Sequence, residues 1–287
     1  MSYVVITPVR DESAFLPFTI ESVIRQTILP AEWIIVNDGS QDNTGEIIEQ
    51  YASRHSWIRP LHLADRGFRK SGGGVVDAFN EGYAKLSPRS WDFVVKLDGD
   101  LEFAPDYFEK CLCHFGKDPR LGIGGGSISN RMPDGSDQPE KGPAFHVRGA
   151  TKIYKQQCWA DIAPLWAAPG WDTLDEVKAN MKGWTTRTFP ELSIVQHRVT
   201  GGADGMWRDR VKNGRANFIC GYHPLFMLAK CVSRIASPPY VVGALGLTWG
   251  YLTGYLCRTA RVDDAALIKY VRRQQLSRLS GGSTIWK

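Results

Sequence analysis

The chain has 287 residues, 43% hydrophobic and 23% charged, which excludes wholesale disorder and collagen-like or low-complexity architectures and allows one large domain or two small ones. The net charge of +5 is uneven: residues 258–287 hold seven basic and two acidic residues, and residues 1–257 hold 28 of each sign. This argues against a nucleic-acid footprint over the whole fold and favours an anionic surface near the tail.

In chain order, residues 3–7 read as a short β-branched strand ended by Pro8, and residues 15–26 as a helix with apolar residues at helical spacing. Residues 33–36 form a second buried strand, and 45–52 a helix with Asp42, Asn43 or Thr44 as its N-cap. A third strand at 58–63, a helix at 75–86, a fourth strand at 93–97 and a proline-opened helix at 105–115 follow. Continuous apolar strands between amphipathic helices predict an α/β fold, a mostly parallel central sheet with helices on both faces. Ligands then bind beyond the C-terminal strand ends. The second half is less regular. Residues 122–129 read as a glycine-rich strand, 130–143 as a polar loop, 171–184 as containing a helix, and 200–217 as glycine-rich and basic.

Residues 235–257 carry no charge over 23 positions, long enough for a membrane candidate or a buried core helix. Gly246, Gly250 and Gly254 recur every fourth position, a small-residue face suited to close helix packing. Six cysteines without a CxxC pair read as reduced cytosolic thiols. The N-terminus MSYVVITPVRDES has no basic start, long apolar run or small-residue cleavage site, so no signal peptide is expected.

Five stretches could carry chemistry. In NDGSQDNT (37–44), Asp38 ends a strand, where a carboxylate can accept hydrogen bonds from a base or ribose; Asp-Gly-Ser is also ordinary turn chemistry. Asp98-Gly99-Asp100 follows FVVKL, and two carboxylates so spaced can share a Mg²⁺ or Mn²⁺ ion and a diphosphate. With 19 aspartates, chance alone supplies about 1.3 such triplets, so the strand-end position carries the weight. In GWDTLDE (170–176), Asp172, Asp175 and Glu176 stand at i, i+3 and i+4, where a carboxylate can act as general base or simply complement the helix dipole. In RGFRKSGGG (66–74), Arg66, Arg69 and Lys70 could meet phosphates, or the loop is merely solvated. Before and along 201–214 stand His197, a possible third metal ligand or a structural histidine, and Arg198, Arg208, Arg210 and Lys212, which could neutralise a diphosphate. No GxGxxG after a strand and no GxxxxGK[ST] is present, so dinucleotide and P-loop readings lose support.

The order TPVRDE, NDGSQDNT, AFNEG (78–82), KLDGD, GWDTLDE resembles the family-2 glycosyltransferases over about residues 3–215. The resemblance implies a GT-A (nucleotide-diphospho-sugar transferase) domain over 1–220 and an apolar, basic, membrane-associating helical segment over 221–287, as in membrane-associated exopolysaccharide members. It implies that Thr7, Pro8 and Glu12 line the nucleotide pocket, that Asp38 binds base and ribose, and that Arg66 or Lys70 approaches base or phosphates. Asp98 and Asp100 match the metal–diphosphate motif, with Mn²⁺ or Mg²⁺ as the cofactor. Asp172 matches the region of the catalytic base, with Asp175 the next candidate, because family members usually show Glu-Asp where this chain has Trp171-Asp172.

The implied reaction is inverting transfer of a sugar from a nucleotide-diphospho-sugar, expected to be a UDP-sugar, to a hydroxyl of a glycan or polyprenyl-diphosphate-linked acceptor in cell-surface polysaccharide synthesis. Alternatives are a sugar-1-phosphate nucleotidyltransferase, which would want glycine in TPVRDES, and a noncatalytic nucleotide-sugar-binding protein. A processive polymerase would need several long apolar spans. The expected location is the cytoplasmic face of the cell membrane. Lys230 and Arg234 precede the apolar stretch and Arg258 and Arg261 follow it, so both ends prefer one side. With Pro238 and Pro239 breaking the helix early, the expectation is a peripheral or re-entrant helix, with Tyr240, Trp249, Tyr251 and Tyr255 at interfacial depth and Arg272 and Arg273 near anionic head groups.

Overall fold

Seven successive buried residues at the N-terminus form β1 (Tyr3–Val9) in a computed structural model that describes all residues except 69, 71, 88–89, 141, 199–204, 237–239 and 287. Arg69, Pro238, Pro239 and the start of the glycine-rich basic stretch therefore lie outside the described residues. The side chains of β1 alternate between two cores: Tyr3, Val5 and Val9 join one, Val4 and Ile6 the other. The strand continues through Pro8, because its pairing with the fourth strand stops at Ile6 and only β2 (Glu32–Asp38) flanks the proline.

β3 (Ile58–Leu63) and β4 (Phe93–Leu97) complete a parallel set, ordered β3-β2-β1-β4. On one face α1 (Leu16–Ile24), α2 (Thr44–Ala52) and α4 (Tyr107–Lys117) bury Leu16, Ile20, Ile48 and Phe108. On the other, α3 (Gly74–Ala84), α5 (Gln156–Ile162) and α6 (Trp171–Met181) bury Phe79, Trp159 and Trp171. Gly82 of AFNEG explains how closely α3 approaches the sheet, since a Cβ there would lie 2.7 Å from Ile6 and 2.8 Å from Val36.

Beyond β4 the sheet departs from the mostly parallel expectation. β8 (Thr151–Lys155) runs antiparallel to both β4 and β6 (Leu121–Arg131). β9 (Thr185–Gln196) is parallel to β6 and antiparallel to the short β5 (Leu101–Phe103). The full order is β3-β2-β1-β4-β8-β6-β9-β5. The expected loop at 130–143 is partly strand: β6 runs to Arg131 and pairs with β7 (Asp137–Pro139), stitched by the Arg131–Asp137 ion pair. The reversal at β8 matters most. Thr151 pairs with Leu97, so the segment before β8 sits at the C-terminal end of β4.

The chain ends in α7 (Met206–Ile219), α8 (Pro224–Ile235), α9 (Tyr240–Leu256) and α10 (Ala265–Leu279). A third core joins Phe218, Phe226, Leu247 and Leu267 of these helices to Leu174 and Val177 of α6. The boundary expected at 220 falls just after α7, which packs on α9 across it. The glycine face of α9 makes that packing possible: a Cβ on Gly250 would strike the Val211 carbonyl. Among the described residues, no helix is long and apolar enough to cross a membrane.

Candidate active site

The C-terminal ends of the parallel strands hold the acidic and basic residues together. After β1, the turn 10–13 is stitched to the NDGSQDNT loop: the Glu12 amide donates to Thr44 Oγ1 (2.9 Å), the Ser13 amide to Asp42 (3.0 Å) and the Asp11 amide to Ser40 Oγ (3.0 Å). Asp42 thus ties two loops and also accepts from the amide of Thr44, the first residue of α2, at 3.0 Å, whereas the N-cap residue Asn43 makes no side-chain capping bond. Thr7 lies beneath this layer, fully buried, its hydroxyl accepting from the Trp33 indole at 2.9 Å. Glu12 pairs with Arg198 at 3.0 Å, bringing the chain beyond β9 over the β1 end.

Asp38 is buried at the end of β2 and ion-paired with Arg66. Burial raises its carboxyl above the usual range, with Arg66 and Arg10 pulling the other way. Arg10 also donates to the Asp38 carbonyl (2.9 Å) and to Asp65 (2.7 Å). The turn needs glycine at 39: its φ is +69°, and a Cβ would meet Asp65 Cα at 2.5 Å. Lys70 is paired with Asp77 at 2.6 Å and borders the same cluster, since a Cβ on Gly74 would lie 2.7 Å from the Arg66 guanidinium and 3.3 Å from Lys70 Cβ.

At the end of β4, Asp98 forms an ion pair with Lys96, a lysine only 2% exposed, and its amide donates to the Ala150 carbonyl at 2.8 Å. Asp100 is 5% exposed. Its Oδ2 accepts from Gln196 Nε2 at 3.0 Å, and its Oδ1 is buried without a hydrogen-bond partner. Burial, then the charge of Asp98, pushes this carboxyl up to about 6. An orphaned carboxylate oxygen beside a second carboxylate fits a hard divalent cation. The His197 amide donates to the Asp100 carbonyl at 2.9 Å, whereas its ring is held by Glu102 (Nε2 to Oε2, 3.0 Å) and stacked on Phe18 at 4.3 Å. Among the described residues no three His, Cys, Asp or Glu side chains cluster to hold a metal, so His197 is not assembled with the two aspartates.

The third component arrives through the reversed strand. Lys96 Nζ also donates to the Gly149 carbonyl (2.6 Å), and a Cβ on Gly149 would lie 2.9 Å from the Trp171 ring and 3.3 Å from Asp172 Cβ. Asp98, Lys96, Gly149 and Asp172 are therefore contiguous, with Asp172 in the first turn of α6 and only partly buried. Asp175 does not share that position. Its carboxylate is enclosed, accepting from Lys152 (2.8 and 3.0 Å) and from the Tyr154 hydroxyl (2.6 Å). Burial raises its carboxyl and Lys152 opposes the rise. With both oxygens engaged inside the protein, Asp175 cannot take a proton from a substrate, which corrects its placement among catalytic residues. Glu176 is likewise internal, accepting from the Val147 amide (2.6 Å) and pairing with His146 (2.9 Å).

Lys96 and Lys152, whose ammonium groups lie 5.4 and 5.5 Å from the Trp171 ring centre, were not legible as site residues. For Lys96 the available signal was a lone lysine inside the apolar run FVVKL; Lys152 is one of two lysines in TKIYK and offered no such signal. Gln196, the partner of Asp100, gave none.

The family model for glycosyl transferase family 2 matches residues 4–166. The poly-β-1,6-N-acetyl-D-glucosamine synthase of Staphylococcus epidermidis is 32% identical over 291 aligned positions, covering 91% of this chain and 66% of that protein. The chain spans 12–51% of the length of other curated relatives it matches. Two solved structures share the fold. One is GalNAc-T7 with UDP, GalNAc and Mn²⁺ (TM-score 0.61, 14% identity, 84% of this chain and 52% of that one). The other is a Pyrobaculum calidifontis mannosyltransferase with GDP-Man and Mn²⁺ (TM-score 0.57, 16% identity, 93% and 78%). The α6 motif lies beyond the family match, but the match runs from β1 past α5 and takes in the β1, β2 and β4 ends where Asp38, Asp98 and Asp100 converge; the chain belongs to glycosyl transferase family 2, on a GT-A-like fold.

Proposed function

We propose that the protein is an inverting glycosyltransferase that moves a sugar from a nucleotide-diphospho-sugar, a UDP-sugar in the first instance, to a hydroxyl of a glycan or polyprenyl-diphosphate-linked acceptor in cell-surface polysaccharide synthesis. The observation that carries it is the unpartnered Oδ1 of Asp100 beside Asp98 at a strand end that reaches Asp172 through Gly149. Support for the donor class comes from the neighbour solved with UDP and Mn²⁺, and for a polymer product from the polysaccharide synthase relative.

In this reading Asp38, held by Arg66, accepts hydrogen bonds from the base or ribose, and the backbone of Thr7 and Pro8 with the Glu12 turn forms the pocket floor. Asp98 and Asp100 would hold Mn²⁺ or Mg²⁺, which would supply positive charge where a leaving diphosphate develops negative charge. Asp172 takes the proton of the acceptor hydroxyl as its oxygen attacks the anomeric carbon. One base and one displacement invert that carbon. The reaction belongs on the cytoplasmic side, where nucleotide sugars are made. A nucleotidyltransferase is disfavoured because TPVRDES has no glycine to admit a triphosphate against the backbone.

A donor screen tests the proposal. Thermal shifts with UDP-GlcNAc, UDP-Glc, UDP-Gal and GDP-Man are measured with Mn²⁺ and with chelator. Metal-dependent stabilisation by a UDP-sugar, followed by release of UDP on addition of acceptor, is expected. Stabilisation by nucleoside triphosphates alone overturns the assignment.

A further inference from the structure

Helix α9 is built inside out for a helix surrounded by water. Its small residues face protein: a Cβ on Gly246 would lie 2.7 Å from Arg210 Cβ, and Cβ atoms on Gly250 and Gly254 would strike Val211 and the Phe218 ring. Apart from Leu247 and Tyr251, which join the third core, its large apolar residues face outward, with Val241, Leu245, Trp249, Leu252 and Leu256 all exposed. A water-facing amphipathic helix does the reverse. The helix has no charged residue, and its two threonines turn their hydroxyls back to their own backbone, Thr248 to the Ala244 carbonyl (2.9 Å) and Thr253 to that of Gly250 (3.0 Å). α8, packed on α9, repeats the pattern: Phe226, Met227 and Cys231 are buried, whereas Leu225, Leu228, Val232 and Ile235 form an exposed stripe at helical spacing. Each of these outward residues is about half exposed, so the two helices leave on the order of 1,000 Å² of apolar surface, against the few hundred Å² a soluble monomer shows in one patch.

The charge around this surface says what covers it. Residues 206–286 carry twelve Lys and Arg against three Asp and no Glu. Exposed Arg234 closes α8 and exposed Arg258 follows α9, so cations flank the apolar faces. Tyr240, Trp249 and Tyr255, each apolar with a polar tip, are exposed on the same helix. A second copy of this chain would bring the same positive charge to the contact, whereas an anionic lipid surface matches both the apolar and the charged component. At 1.5 Å per residue, α9 is about 25 Å long, and one side of it is committed to α7, a geometry for lying in the interface rather than crossing it.

We propose that the outward faces of α8 and α9 dock the protein, in the plane of the interface, on the anionic cytoplasmic surface of a membrane. The surface does not depend on which donor the site takes. The docked helices connect to the site through α7, on which α9 packs: Cys220, at the end of α7, meets Gly170 at the start of α6, where a Cβ on that glycine would lie 2.5 Å from the cysteine sulfur.

The full chain is sedimented with vesicles of phosphatidylcholine alone and of phosphatidylcholine with 30% phosphatidylglycerol. Binding to the anionic vesicles, at least tenfold stronger than to the neutral ones, is expected. Leu245→Glu with Leu252→Glu should lower it tenfold or more while Mn²⁺-dependent UDP binding is kept. Brominated-lipid quenching provides a second readout on folded protein: wild-type tryptophan fluorescence should be quenched, and Trp249→Phe should remove much of the quenching. Absence of vesicle binding, unquenched fluorescence, or a detergent-free dimer that the double variant dissociates overturns the proposal. Loss of UDP binding with vesicle binding intact would instead count against the donor site.

Discussion

Asp100→Asn should make the metal-free protein more stable at neutral pH while abolishing its response to metal. In the native state the Asp100 carboxyl is pushed up from 3.8 to about 6, by burial first and by the Asp98 charge second. A group whose native value lies above its unfolded value binds protons more tightly when folded. Stability therefore falls as pH rises from about 4 to about 6 and stays low above it. A shift of about two units corresponds to about 3 kcal/mol. Below pH 4 the protonated aspartic acid and an asparagine are nearly equivalent, and Gln196 retains an oxygen acceptor in the variant. Urea denaturation in EDTA at pH 4 and pH 7 measures the difference. The variant should match the wild type at pH 4 and exceed it by about 3 kcal/mol at pH 7. Mn²⁺ with UDP should then stabilise the wild type at pH 7 and leave the variant unmoved. A stability difference that does not grow with pH, or equal stabilisation of both proteins by Mn²⁺, would refute the reasoning.

Asp172→Asn should lower turnover by about 10²–10⁴-fold with donor affinity nearly unchanged, read by steady-state UDP release and donor titration. Asp175→Asn should act on the fold instead: it leaves buried Lys152 with Glu176 as its remaining carboxylate, and denaturation should show a loss of about 1–3 kcal/mol. Arg66→Ala leaves Asp38 buried without its cation and should weaken UDP binding by about tenfold or more, measured calorimetrically with Mn²⁺ present. Gly250→Ala drives a methyl into the Val211 carbonyl and should destabilise the α7–α9 pair by about 1–3 kcal/mol, seen as a lowered melting temperature, whereas Ala at exposed Leu245 should not.

The parallel half of the fold was legible because β1, β2 and β4 are buried on both faces and its chemistry is local. Runs such as FVVKL have no solvent-facing alternation, and Asp38 and Asp98 stand where those runs stop. The second half showed β6 as the glycine-rich strand at 122–129 but hid β8 and β9 behind the residues that make the site. β8 reads TKIYK, in which Lys152 looks like a solvent-facing residue but is a buried cation neutralised by Asp175 and Glu176. β9 contains Pro190 and shifts register against β6 between Gly126 and Ser127, so no clean alternation marks it. α7 is dense in Arg and Lys and follows a glycine-rich stretch, a composition that reads as loop.

The misassignment of Asp175 has the same origin. Spacing of i, i+3 and i+4 says that carboxylates can share a helix face, but not which medium that face meets. That depends on β8 running antiparallel to β4, which sets Lys152 and Tyr154 against α6 and lays Gly149 between Asp98 and Asp172. The donor-side aspartates are placed by the strands they end. Asp172, the proposed base, is placed by a strand reversal some fifty residues downstream, together with buried lysines that hold both sides of the Gly149 segment. A substitution at Lys96 or Lys152 should therefore disturb the relation of Asp172 to Asp98; Lys96 opens the KLDGD motif, whereas Lys152 stands outside the motifs that made the site recognisable.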